Sequence, residues 1–203
     1  MKAQMRFQKI LVIVSLVIAA ICLVHAWVFC SGTFAQLTRY KDDAGFGFDV
    51  DKANNIYNLS QNFSNLFQIL GILFILAAVL MLVMGCQSRR KYYITNYVAI
   101  GIFVVYSLVF AILLIINLTT ISSALADFEL EAFGEYYTSL HMDTSWGKFS
   151  SSSWTISLGY ALVALVLVTA IINALNLVWK ILLMQGEKKL LAQADQVAVK
   201  EEV

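Results

Sequence analysis

Four stretches of the chain, residues 10–30, 63–86, 92–118 and 154–179, contain no Asp, Glu, Lys or Arg, and each is bracketed by charge. A helix rising 1.5 Å per residue needs about 20 apolar residues to cross a bilayer core of about 30 Å, and every one of the four exceeds that length. Their apolar residues run round the whole helix rather than along one face, as they must where lipid replaces water. The pattern predicts an all-α membrane protein, a four-transmembrane-helix bundle forming one domain over residues 1–203. Its outer loops are residues 31–62 and 119–153, each of about thirty residues, its inner loop is 87–91, and its tail is 180–203.

The charges then orient the bundle. The N-terminus, the short turn and the tail carry Lys2, Arg6, Lys9, Arg89, Arg90, Lys91, Lys180, Lys188, Lys189 and Lys200. The two longer loops carry only Arg39, Lys41, Lys52 and Lys148, together with most of the acids. Lys and Arg concentrate on the cytoplasmic side of short loops, so both termini are expected to be cytoplasmic and the two long loops extracytoplasmic, most simply at the plasma membrane. The first stretch is longer than the 7–15 apolar residues of a signal peptide and lacks a small-x-small cleavage pattern, so it is expected to remain as a span.

Composition agrees with this picture. Hydrophobic residues make up 60% of the chain and charged residues 13%, about half the charge of a typical soluble domain. The chain has no proline, and Gly71, Gly85, Gly101 and Gly159 are isolated, so four continuous helices are expected rather than the broken helices on which transporters build substrate sites. The spans also lack the buried acids and bases of ion-coupled transport. His25 is their only titratable candidate outside the thiols and phenols; it reads as an interfacial histidine bonded to a neighbouring helix or to water, with metal, haem or pH sensing as the alternative.

The polar residues within the spans are amides and hydroxyls. Asn173 and Asn176, three apart, share a face of span four, and Asn96, Ser107 and Asn117 recur every ten or eleven residues along span three. Amides in lipid seek partners, so these five are expected to join helices or, in a channel, to line a pore. Three cysteines, Cys22, Cys30 and Cys86, contain no Cys-x-x-Cys pair, which excludes the four-span thiol oxidoreductases. The layout is similar to that of connexins, claudins and tetraspanins in span count and in having both ends inside. It departs from them in lacking paired outer-loop cysteines, the claudin Trp…Cys…Cys pattern and the tetraspanin Cys-Cys-Gly.

The outer loops are where partner specificity is expected. Phe46 and Phe48 alternate with Gly45, Gly47 and Asp49 in an acidic first loop. Read as an EF-hand start, Asp49-Val50-Asp51 puts Asn54 and Ser60 where that loop needs Gly and Glu, and so fails. In the second loop Phe128, Phe133, Tyr136 and Tyr137 recur at roughly helical spacing between Asp127, Glu129, Glu131 and Glu135, predicting an acidic amphipathic helix whose aromatic face rests on the chain itself or on a partner protein. These six aromatics are the candidate partner-binding residues. No catalytic, metal-ligating or cofactor-binding residue is assigned, and no phosphate loop, zinc spacing or nucleophile motif occurs. The expected function is a non-catalytic membrane subunit, surrounded by lipid and assembling with itself or with other membrane subunits, without nucleic acid. The alternative is a homo-oligomeric channel with an acidic, cation-attracting outer mouth.

Overall fold

The computed structural model describes residues 2–31, 34, 37, 49–86, 93–141 and 153–201. Five helices account for nearly all of them: α1 (Lys2–Val28), α2 (Val50–Gly85), α3 (Tyr93–Ala126), α4 (Leu130–His141) and α5 (Trp154–Glu201). The protein is all-helical, and α1, α2, α3 and α5 are each long and apolar enough to cross a membrane. They run alternately up and down and pack in a ring, α1 on α2, α2 on α3, α3 on α5 and α5 back on α1, with the last seam the least extensive. One end of the ring, the basic end, gathers the N-terminus of α1, the C-terminus of α2, the start of α3 and the extension of α5. The other carries α4.

The outward faces suit lipid. Ile10, Ile13, Val17 and Val24 on α1, Ile69, Leu76 and Val83 on α2, Val98, Val105 and Ile112 on α3, and Leu165, Val168 and Leu175 on α5 are all exposed. Trp154 and Trp179 are exposed near the two ends of the apolar part of α5, about 37 Å apart along the helix axis. That separation matches a hydrocarbon core with its interfaces, the level at which tryptophan anchors a span.

The helices run well past the charge-free stretches. At 36 residues, α2 is about 54 Å long, and its first thirteen residues continue beyond the stretch that begins at Phe63. They are helical for local reasons. Asp49 takes the N-cap position, its carboxylate accepting from the backbone N–H of Asp51 at 2.9 Å and Lys52 at 3.2 Å, as short acidic caps do. Ala53, Ile56 and Ser60 are then buried while Asn55, Asn58 and Asn62 are exposed, a helical period that absence of charge does not detect. Asn58 and Asn62, which head two Asn-x-Ser sequons, therefore stand on an exposed helix face.

At the other side of this end, α3 continues to Ala126 and a short turn leads into α4. Lys52 of α2 donates through Nζ to the backbone oxygen of Asp127 at 3.0 Å, placing a cation on the C-terminal carbonyls of α3, where the helix dipole favours positive charge. The predicted acidic amphipathic helix is present as α4. Phe128, just before it, and Phe133 and Tyr136 on it are buried in the same apolar core as Phe34, Leu37, Ile56 and Ile121. The aromatic face is thus occupied by the chain's own bundle, and Glu129, Glu131 and Glu135 are left exposed. The side chain of Tyr137, and Phe46 and Phe48, lie outside what the structure describes.

Phenylalanine fills the bundle. Phe34, Phe29, Phe63, Phe67, Phe110, Phe74 and Phe103 form a continuous chain of ring contacts, with centroids between 3.9 and 5.4 Å apart. Each such pair contributes about 0.5–1.5 kcal/mol beyond its buried area. The seven rings belong to α2, α3 or the segment just after α1; α5 supplies none. At one close approach of α1 and α2 the side chain is absent: a Cβ at Gly71 would lie 3.1 Å from the Leu23 Cα. Small residues at such crossings let two backbones approach in lipid.

Gly71→Val is therefore expected to destabilise the bundle by about 1–3 kcal/mol, because its extra atoms meet backbone rather than a yielding side chain. Gly101→Ala, at a position with open space around it, is expected to cause no loss. Unfolding of the two variants in mixed detergent micelles, followed by circular dichroism, checks both.

Candidate functional site

Most of the polar side chains inside the membrane-spanning part converge on one place, the seam between α1 and α5. At the basic end, Gln4 and Gln8 lie one turn apart on α1, and Asn173, Asn176 and Lys180 lie at i, i+3 and i+7 on α5, so that both sets face the same seam. All five are buried, Lys180 to 4% exposure. The Gln8 amide donates through Nε2 to the backbone oxygen of Gly85 at 2.7 Å, and Lys180 donates through Nζ to that same oxygen at 3.0 Å. Gln8 Oε1 accepts from Gln4 Nε2 at 3.1 Å, Lys180 Nζ at 3.3 Å and Asn176 Nδ2 at 3.4 Å. Gln4 Nε2 also donates to Asn176 Oδ1 at 3.1 Å.

A buried ammonium ordinarily needs a carboxylate, but the bonds Lys180 makes to described residues go to Gly85 O and Gln8 Oε1. Its partner is the end of a helix. Gly85 is the last residue of α2, and its carbonyl is one of those the helix leaves without an N–H of its own. The partial negative charge of that terminus stabilises a cation placed there. Lys180 thus closes α2 at one end of the bundle as Lys52 closes α3 at the other. Gly85 itself makes room for this: a Cβ there would approach Gln8 Nε2 to 3.2 Å.

Nearer the middle of the seam, Asn173 Nδ2 donates to Ser15 Oγ at 3.1 Å and to its own helix at Thr169 O, 2.9 Å, while Ser15 donates to Leu11 O. Beyond Ser15 the seam is apolar, lined by Ile18, Cys22, Leu162 and Val166. Its α4 end is closed by His25. This histidine is buried, bonds through Nε2 to the backbone oxygen of Thr155 at 2.9 Å, and so carries its proton on that nitrogen. The rings of Phe29 and Phe63 stand edge-on to it, and Gly159 lies close against its Cε1. Of the two partners expected for His25, a neighbouring helix or water, the bond to Thr155 O supplies the helix.

The five amides and hydroxyls singled out from the sequence fall into two groups. Asn173 and Asn176 join helices, as described. Ser107 is buried between Phe103 and Phe110 and returns its proton to Phe103 O at 2.7 Å. Asn117 is half-buried and donates to Leu113 O at 2.8 Å, and Asn96 is buried near the start of α3. The stripe on α3 thus points toward the phenylalanine core, and the middle of the helix's exposed face is apolar. Gln4, Gln8 and Lys180 are not singled out by sequence. The available signal was their spacing: i and i+4 on α1, and Lys180 one turn beyond Asn176 in register with it.

The remaining polar links tie α1 and α3 to α2. Ser64 donates to Ala26 O at 2.8 Å, Cys30 Sγ approaches Ser60 O at 3.4 Å, and Tyr106 donates to Leu70 O at 2.7 Å. Among the described residues no group of three or more His, Cys, Asp or Glu side chains comes together as metal ligands would. Asp49 is engaged as a helix cap, and Asp42 and Asp43 lie outside the described residues.

A double-mutant cycle on Ser15→Ala and Asn173→Ala, read from unfolding free energies, is expected to give a coupling of about 0.6–2 kcal/mol, the range for interhelical hydrogen bonds in membranes. Ser107→Ala, whose bond stays within α3, is expected to show no coupling to Asn173→Ala. No family model, no curated protein and no solved structure matches the chain.

Proposed function

We propose that the protein is a non-catalytic integral membrane subunit that assembles with itself or with a larger membrane complex. The observation that carries this reading is the way α4 is mounted. Its aromatic side is fixed in the core by Phe128, Phe133 and Tyr136, while Glu129, Glu131 and Glu135 stand outward from a helix that is held in place. A surface so anchored is preorganised, and preorganisation lowers the ordering cost of binding a partner. Acidic charge gives such a surface selectivity for a basic one and steers the encounter. Partner recognition in this reading is through the acidic edge of α4 and not through the three aromatics buried behind it; Tyr137 and the first-loop Phe46 and Phe48 remain candidates for the same surface.

The Lys and Arg distribution supports cytoplasmic termini, with α4 outside, at the plasma membrane. The extension of α5 past Glu187 offers a second point of attachment on the cytoplasmic side. A homo-oligomeric channel would need polar faces turned toward neighbouring copies across the membrane. The mid-membrane outward faces of the four helices carry Ile, Leu and Val, which favours the subunit reading.

Native mass spectrometry after gentle detergent extraction is expected to give either a fixed multiple of the 22.7 kDa chain or a mass shared with other membrane chains. The triple change Glu129→Lys, Glu131→Lys and Glu135→Lys is expected to break that assembly while leaving helix content and melting temperature unchanged. A bare monomer from the native membrane, or an assembly indifferent to the triple change, overturns the reading.

A further inference from the structure

The two halves of α1 are held by different physics. Toward α4 its buried residues are Ile18, Ala19, Cys22, His25 and Ala26, and all but His25 belong to the contiguous apolar core. Here α1 presses on α2 at Leu23 and Gly71, backbone to backbone. Toward the basic end its buried residues are Gln4, Gln8, Leu11, Val12 and Ser15, three of them polar. The facing surface of α5 matches: fully buried members of the contiguous core end at Val166, and beyond it, with Ala170, come Thr169, Asn173, Asn176 and Lys180. Half of the seam is packed, and half is hydrogen-bonded.

The hydrogen-bonded half concentrates its donors on few acceptors. Gln8 Oε1 takes three donors at 3.1–3.4 Å, one more than its two lone pairs accommodate. Among the described residues Lys180 donates to two acceptors, both neutral. Gly85 O is shared between Gln8 and Lys180. A buried ammonium held by shared, neutral acceptors is costly in a lipid-surrounded bundle, and water is the acceptor that relieves it. Each bond in this half is also one that water can replace, whereas the close packing at Leu23–Gly71 has no such substitute.

We propose that the basic-end half of the α1–α5 seam is a hydrated crevice that opens and closes, with α1 pivoting on its close-packed half near Leu23–Gly71 and the Lys180–Gln8–Gly85 cluster acting as the latch. Water reaches Ser15 and Asn173 and stops at the apolar residues Ile18, Cys22 and Val166. The boundary falls within two turns of α1, and the chain carries its own marker on the dry side, Cys22.

The test is thiol accessibility of the full-length chain in nanodiscs, which expose both membrane faces to a water-soluble maleimide. The background is Cys30→Ser with Cys86→Ser, leaving Cys22, and Ser15→Cys is added to it. The thiol introduced at position 15 is expected to react, slowly against a Gln193→Cys control on an exposed position, while Cys22 stays unlabelled over the same time. Lys180→Met, which removes the latch cation, is expected to raise the labelling rate at position 15 roughly tenfold and to leave Cys22 protected. Gln4→Ala serves as a milder latch variant should Lys180→Met not fold, with an expected rise of a few-fold. Absence of labelling at position 15, with the latch intact and with it broken, shows a closed, dry seam and overturns the proposal. Labelling of Cys22 in step with the introduced thiol shows opening of the whole bundle, and overturns the pivot as well.

Discussion

In lipid a polar group has only the protein to bond to, and the architecture follows from how this chain meets that demand. Backbone groups are satisfied by continuous helices free of proline. The C-terminus of α2 is the difficult place, since its last carbonyls have no N–H of their own, and Gly85 sits where α1, α2 and α5 meet. Gln8 and Lys180 converge on that single oxygen. The contact places Lys180 inside the bundle, sets the register of α5 against α1, and closes the ring at the basic end.

The result is a bundle with two kinds of interior. Aromatic packing joins α2, α3 and the segment just after α1 through seven phenylalanines, while α5, which has no phenylalanine in its membrane-spanning part, is fastened to α1 by amides, hydroxyls and one lysine. Dispersion between rings is short-ranged and depends on shape; hydrogen bonds between flexible amides tolerate displacement and exchange with water. The α1–α5 seam is therefore the contact most easily adjusted, while α5 keeps a seam on α3 as extensive as those that join α2 to its two neighbours.

The spans were legible from charge alone, because absence of Asp, Glu, Lys and Arg over more than twenty residues has few explanations outside a membrane. The acidic helix α4 was legible from its spacing, though its start at Leu130 followed a turn that the periodicity did not reveal. Two things were hidden. The helical continuation of α2 before Phe63 is a polar-faced segment, and only the period Ala53, Ile56, Ser60 behind an Asp49 cap betrays it. The latch was hidden because Lys180 reads as one of several tail lysines orienting the protein. A lysine at the end of a span is ordinarily in water or snorkelling toward it, and only the three-dimensional neighbour, the end of α2, makes its burial tolerable. Composition reports what a residue costs in lipid, not which helix end stands ready to receive it.

The length of α5 gives one of these features mechanical weight. Its 48 residues form a rod of about 72 Å, and the part beyond Glu187 projects about 21 Å past the apolar window. A rigid rod converts small tilts into larger excursions at its tip: turning α5 by about 10° within the bundle would carry the far end about 4 Å sideways relative to Glu187. A tilt at one end of the bundle would thereby reach the other without any bending of the helix, so that the last helix has the shape of a pointer as well as of a wall.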